Sequence, residues 1–288
     1  MNLKQERKEM RRFNIAGNCQ EDKHYMLPPL PRIPQAWDLV QNEEYFVLHA
    51  PRQSGKTTAL LALCDELNLQ GKYHAVYCTL KKVPIDSECM EGIMDATNRI
   101  WLSSQQLLLE RGLPDIRPDA TLRTSTLQIY LTELCRKLDK PLVLLLDDVD
   151  ALTGYSQISL LSQLRSGFAS REDVPFPASV VLAGSRDISN YRLCLPPDSE
   201  LLERVPPFNI IAAKLTLATF TPEQIAALYA QHTAETGQRF QDGALERVYH
   251  WTGGQPWLVN AVARECVEEI CRNDFTREIT PDLVDQAA

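Results

Sequence analysis

The chain of 288 residues has no C-x-x-C pair among its eight cysteines, no run near the ~18 apolar residues that a membrane span needs, and no internal repeat or low-complexity tract. The first absence argues against a zinc ribbon or a disulfide frame. Cys19, Cys64, Cys78, Cys89, Cys135, Cys194, Cys266 and Cys271 are scattered, several in apolar runs, as the reduced thiols of a cytoplasmic protein are. The second absence, with a basic start (MNLKQERKEMRRFN) that has no apolar stretch behind it, predicts neither membrane insertion nor an export signal. The five histidines (His24, His49, His74, His232, His250) show no ligand spacing, so no metal is expected of them. Positive charge is also short. Lys plus Arg is 30 and Asp plus Glu is 38, a net charge of −8, which speaks against a whole-surface nucleic-acid binder and leaves only a local basic patch.

The composition that is present, 44% apolar and 24% charged, is that of a folding globular chain long enough for one large domain or two modest ones. A polar, basic arm (Lys4, Arg7, Lys8, Arg11, Arg12) leads into a Pro-rich stretch, Leu27 to Pro34, read as a stiff, extended lead-in, so that residues 1–40 form an arm. Over residues 41–218 short apolar runs alternate with helical patterns. Strands are predicted at Tyr45–His49, Ala75–Leu80, Leu142–Leu146, Ser179–Ala183 and Asn209–Leu217. Helices are predicted near Lys56–Leu69, Asp86–Arg111, Thr124–Leu138 and Gln157–Gly167. Strands separated by helices imply a parallel α/β sheet. From Thr221-Pro222-Glu223-Gln224, a helix start, the pattern is helical, at Gly243–Trp251, Trp257–Cys271 and after Thr280-Pro281, so residues 219–288 should form a second, helical domain. The last helix starts only a few residues before Ala288, as expected of a piece cut from a longer chain.

Three strand ends carry chemistry. Ala50-Pro51-Arg52-Gln53-Ser54-Gly55-Lys56-Thr57 lies between a strand and a helix and fits G-x-x-x-x-G-K-[ST] with Ala50 for the first glycine. Such a turn aims backbone N–H groups at a phosphate chain. Pro51, Arg52, Gln53, Ser54, Gly55, Lys56, Thr57 and Thr58 are therefore candidate nucleotide ligands, with Lys56 on the β/γ-phosphates and Thr57 on Mg²⁺. Ala50 is tolerable where the turn needs no positive φ. Leu142–Leu146 discharges into Asp147-Asp148-Val149-Asp150. Asp147 is the Mg²⁺ candidate, and Asp148 the carboxylate that orients an attacking water. At the third strand end, Ser179–Ala183 runs into Gly184-Ser185-Arg186, where Ser185 or Arg186 would reach a γ-phosphate. In the helical part, Gly253-Gly254-Gln255-Pro256 reads equally as a plain helix boundary.

APRQSGKTT, LVLLLDDVD, AGSRD and TGGQP, in this order, resemble prokaryotic P-loop ATPases of the AAA+/STAND group, particularly AAA-like ATPases related to origin-recognition and signalling ATPases. The resemblance runs from about His24 to Ala288. It implies a five-stranded sheet of order 5-1-4-3-2, a helical lid, ATP/ADP and Mg²⁺ as ligands, Arg186 as a catalytic sensor beside Lys56 and Asp148, and Pro256 against the adenine. Asp148 stands where Glu is commoner, which implies slow hydrolysis. Arg165 and Arg171 are finger candidates by location only. The expected function is a nucleotide-controlled, STAND-like switch with a protein effector and assembly on ATP. The alternatives are an origin-recognition-like loader or remodeller acting on DNA, whose basic reading element is not visible in the sequence, and an interaction module with a dead nucleotide site, which the presence of Lys56, Thr57 and Asp147 disfavours.

Overall fold

The computed structural model describes residues 10–81, 89–119, 121, 125–152, 154–185 and 209–288. Lys4, Arg7 and Lys8 of the arm, and Arg186 and Cys194, lie outside the described residues. The chain divides into two compact units. One holds Ile33–Pro51 and Ala59–Leu217; the other holds the residues up to Arg32, Arg52–Thr58 and Ala218–Ala288.

The first unit is built on five parallel strands: β1 (Tyr45–His49), β2 (His74–Thr79), β3 (Leu142–Asp147), β4 (Ser179–Gly184) and β5 (Ile211–Thr216). Their spatial order, β2-β3-β4-β1-β5, is the expected 5-1-4-3-2 read from the other edge. The apolar runs of β3 and β4 have a physical reason, since every residue of both strands is buried. Leu142, Leu144 and Leu146 share one face with Val180 and Leu182, packed with Ile93, Ile100, Leu131 and Leu164 from the helices α3 (Cys89–Glu110), α4 (Thr126–Lys137) and α5 (Gly154–Ala169). Each such fully buried Leu or Ile contributes about 1.5–3 kcal/mol. A short helix α1 (Gln35–Gln41) precedes β1, and α2 (Lys56–Gln70) follows it. The sequence reading missed α1, because seven residues after Pro34 are too few to show a helical period.

The second unit is helical: α6 (Pro222–Thr236), α7 (Asp242–Thr252), α8 (Pro256–Arg264), a π-helical continuation over Glu265–Ile270, and α9 (Pro281–Ala287). Thr221 and Gln224 form the reciprocal capping box that the sequence announced, and Gln255-Pro256 and Thr280-Pro281 repeat the scheme of a side-chain cap followed by proline. The lead-in departs from the extended, solvated arm expected of it. From Met10 onward it is folded: Phe13 and Tyr25 are buried in the aromatic core with Tyr229, His232 and Phe240, and Leu30–Arg32 forms a 3-10 turn. Two large aromatic side chains within a polar stretch outweigh its average polarity. Cys19, Cys64, Cys78, Cys135, Cys266 and Cys271 are free thiols, and Cys64, Cys78, Cys266 and Cys271 are buried.

Candidate functional site

Parallel register brings the strand ends to one edge of the sheet. Leu146 sits opposite Leu182, and His49 opposite Gly184, so Asp147, Ser185 and Ala50 leave the sheet together, as α/β ligand sites require. Asp147 is fully buried. Its Oδ1 accepts the Asp148 N–H at 2.9 Å, and its Oδ2 accepts the Tyr77 hydroxyl at 3.1 Å. Asp148 has φ 55 and ψ 39, a left-handed conformation that Asp tolerates better than most residues, and its Oδ2 accepts the Thr79 hydroxyl at 3.2 Å. The β2 end therefore holds both carboxylates. Asp150 Oδ2 accepts the Ser185 N–H at 3.0 Å and also the Ser185 hydroxyl. That bond commits the Ser185 hydroxyl hydrogen to Asp150, the acceptor that the sequence reading did not supply. Arg186, the expected sensor, lies outside the described residues. Arg171 donates to the Glu43 carbonyl at 2.8 Å and stacks on Phe168, at the edge where strands begin; Arg165 donates to Asn209 at 3.3 Å.

The loop Arg52–Thr58 belongs to the second unit. Positive φ occurs at Gln53 (61) and Gly55 (89) and not at Ala50, so the missing first glycine costs the turn nothing there. α2 starts at Lys56, and its first N–H groups have no partner within the helix. Lys56 is 8% exposed and makes no ion pair among the described residues, and the buried Ser54 hydroxyl has no hydrogen-bond partner among them. A buried ammonium and an orphaned hydroxyl at the start of a helix fit an anion of several oxygens. Thr57 and Thr58 occupy the first turn of α2, half-buried.

Two side chains that the sequence reading gave no part in nucleotide binding surround this loop. Arg32 donates to the Ser54 carbonyl at 3.0 Å and to the Ala218 carbonyl at 2.5 Å, and lies over the Phe220 ring at 4.8 Å; burial lowers its pKa to about 10, which leaves it charged at neutral pH. A Cβ at Gly55 would stand 3.0 Å from the Arg32 guanidinium, a second reason for glycine there. Gln255 shares its amide between the Arg52 and Gln53 carbonyls, each at 3.4 Å, while its Oε1 caps α8 by accepting the Leu258 N–H at 2.6 Å. Pro256 is buried at the first position of α8. Gly254, at φ 74, accepts the Phe220 N–H at 2.7 Å, and a Cβ there would overlap the Phe220 carbonyl oxygen. Nothing in the local sequence marks Arg32, which sits between prolines in a stretch without periodicity.

A family profile described as AAA-like domain matches residues 36–280. Among solved structures the chain is similar to a Walker-type ATPase of Pyrococcus abyssi (TM-score 0.63, 14% identity, covering 92% of this chain and 73% of that one). It is also similar to the ORC1 protein of Aeropyrum pernix, solved in complex with DNA (TM-score 0.55, 11% identity, 91% and 65%), and to Cdc6p of Pyrobaculum aerophilum (TM-score 0.53, 16% identity, 85% and 61%). No curated protein matches the chain. At these identities the solved structures speak for the fold, a parallel P-loop sheet. The profile covers most of the chain, and with the phosphate-loop sequence at the end of β1 and the carboxylates at the end of β3 it decides the family: the chain belongs to the AAA-like domains of the AAA+ P-loop ATPases.

Proposed function

We propose that the protein binds ATP and ADP with Mg²⁺, hydrolyses ATP slowly, and uses the nucleotide to switch its helical unit, acting as a lid, in the manner of a STAND regulator. The observation that carries this reading is the loop itself: Lys56 buried with no ion pair among the described residues, Ser54 Oγ with no hydrogen-bond partner among them, and positive φ at Gln53 and Gly55. In this reading the N–H groups of residues 53–57 and the Lys56 ammonium hold the phosphates. The carboxylate of Asp147 and the hydroxyl of Thr57 are hard oxygen donors of the kind Mg²⁺ takes, and the ion, when bound, neutralises phosphate charge. Asp148 orients the water that attacks the γ-phosphorus and accepts its proton as the bond to ADP breaks, with Thr79 fixing the carboxylate. Asp has one methylene fewer than Glu, which shortens its reach to that water and supports slow turnover. Arg186 is assigned the sensor role and Pro256 the base contact.

A net charge of −8 speaks against nucleic acid as the main partner; a protein effector and assembly on ATP are proposed from the resemblance to STAND regulators, and a cytoplasmic location from the scattered cysteines. Titration calorimetry of ATP and ADP with Mg²⁺ tests the binding claim. Lys56→Ala should lose at least tenfold in affinity, since a charge-assisted hydrogen bond is worth ~1.5–3 kcal/mol. Undiminished binding by this variant would sink the assignment. Tight, salt-dependent DNA binding would favour a loader over a switch.

A further inference from the structure

Arg32 and Gln255 come from opposite ends of the sequence and grip consecutive carbonyls of one loop. The guanidinium holds Ser54 C=O, and the Gln255 amide holds Arg52 C=O and Gln53 C=O. In a trans peptide the carbonyl of one residue and the N–H of the next point in opposite directions. Three pinned carbonyls therefore aim the N–H groups of Gln53, Ser54 and Gly55 away from the grip. Neither side chain is free to drift. Arg32 is also fixed by the Ala218 carbonyl and the Phe220 ring, and Gln255 by its cap on Leu258. Phe220 in turn donates to Gly254, so both grips rest on one stretch of backbone contact.

We propose that Arg32 and Gln255 are positioning residues for phosphate binding: they hold the peptide planes of residues 52–55 so that their N–H groups form a ready-made cradle for a phosphate anion. This rests on the nucleotide-binding reading above and adds to it that phosphate affinity is set by groups that need not touch the ligand. The cradle acts on the phosphates and not on the base, so inorganic pyrophosphate should feel the same loss as ADP.

The test is calorimetric titration of the full chain, well below its melting temperature, with Mg·ADP and with inorganic pyrophosphate. Gln255→Glu keeps the Oε1 cap but turns the donating amide into an acceptor facing two carbonyls. Arg32→Gln removes the fork, and Arg32→Lys keeps the charge but cannot span the Ser54 and Ala218 carbonyls together. Each variant should weaken both ligands by about tenfold, the effect of one well-placed hydrogen bond. A merely structural role would lower the melting temperature and leave pyrophosphate affinity at the parent value. Parent-like affinity in Gln255→Glu and Arg32→Gln, or recovery of affinity by Arg32→Lys, overturns the inference. If Arg32→Gln fails to fold, Gln255→Glu alone decides. When Lys56→Ala loses binding while these variants retain it, the nucleotide reading stands and the pinning fails; when the parent binds neither ligand, both fall.

Discussion

Gly253 and Gly254 differ by one position, share positive φ (54 and 74), and should respond to alanine very differently. At Gly253 an added Cβ meets nothing within 4 Å, so the cost is that of placing an L-residue in the left-handed region, ~1–2 kcal/mol. At Gly254 the Cβ would overlap the Phe220 carbonyl oxygen, which is backbone and has no rotamer to give way. The segment must shift, breaking the 2.7 Å bond from the Phe220 N–H to the Gly254 carbonyl in a buried place, and this adds about 1–3 kcal/mol for the unsatisfied groups. Gly254→Ala should thus cost roughly 2–5 kcal/mol against ~1–2 for Gly253→Ala. At ~2–4 °C per kcal/mol, that lowers the melting temperature by roughly 4–20 °C against 2–8 °C. Thermal melts followed by tryptophan fluorescence, with Trp251 and Trp257 in the affected unit, measure both. Equal losses in the two variants would mean that Phe220 and Gly254 are not in close contact, and the account of the loop's surroundings would fall with it.

Asp148→Asn should keep the left-handed turn and nucleotide affinity while lowering phosphate release by at least tenfold, because a water-orienting carboxylate acts chiefly in the transition state; release at the parent rate would refute the role. Thr79→Val should alter kcat more than KM, since it removes only the hydrogen bond on Asp148 Oδ2, and single-turnover kinetics would show this. Burial lowers the pKa of His232 below its ordinary 6.5, so the folded protein holds this imidazole neutral. The unfolded chain binds the proton first, and stability should fall as pH drops below about 6.5. Urea melts at stepped pH should show this slope in the parent and a shallower one in His232→Gln.

The sheet was legible because its strands are short apolar runs ended by chemistry: LVLLL before Asp147 and SVVLA before Gly184 needed no knowledge of their neighbours. The helix starts were equally plain, since Thr221-Pro222 and Thr280-Pro281 carry their caps in sequence. What could not be read are contacts made across long separations. Thr79 and Tyr77 meet the carboxylates only because β2 lies beside β3, and Arg32 meets Ser54 and Phe220 through folding of a stretch that has no period. Phe13 and Tyr25 were hidden for a related reason: an apolar period shows only over several residues, whereas two aromatic anchors need only a partner.

That aromatic core has a consequence for synthesis. Arg11 and its partner Glu235 are 224 residues apart, and Phe13 packs on Tyr229 and Phe240. At roughly 5–20 residues per second, a ribosome releases the start of this core some 10–40 s before the helices that cover it. During that interval Phe13 and Tyr25 have each other but not Tyr229, His232 and Phe240, so the nascent chain presents an aromatic, basic segment that a holding chaperone could occupy. Moving residues 10–32 behind Ala288 by circular permutation would remove the wait, and cell-free synthesis should then yield more soluble protein at low chaperone levels.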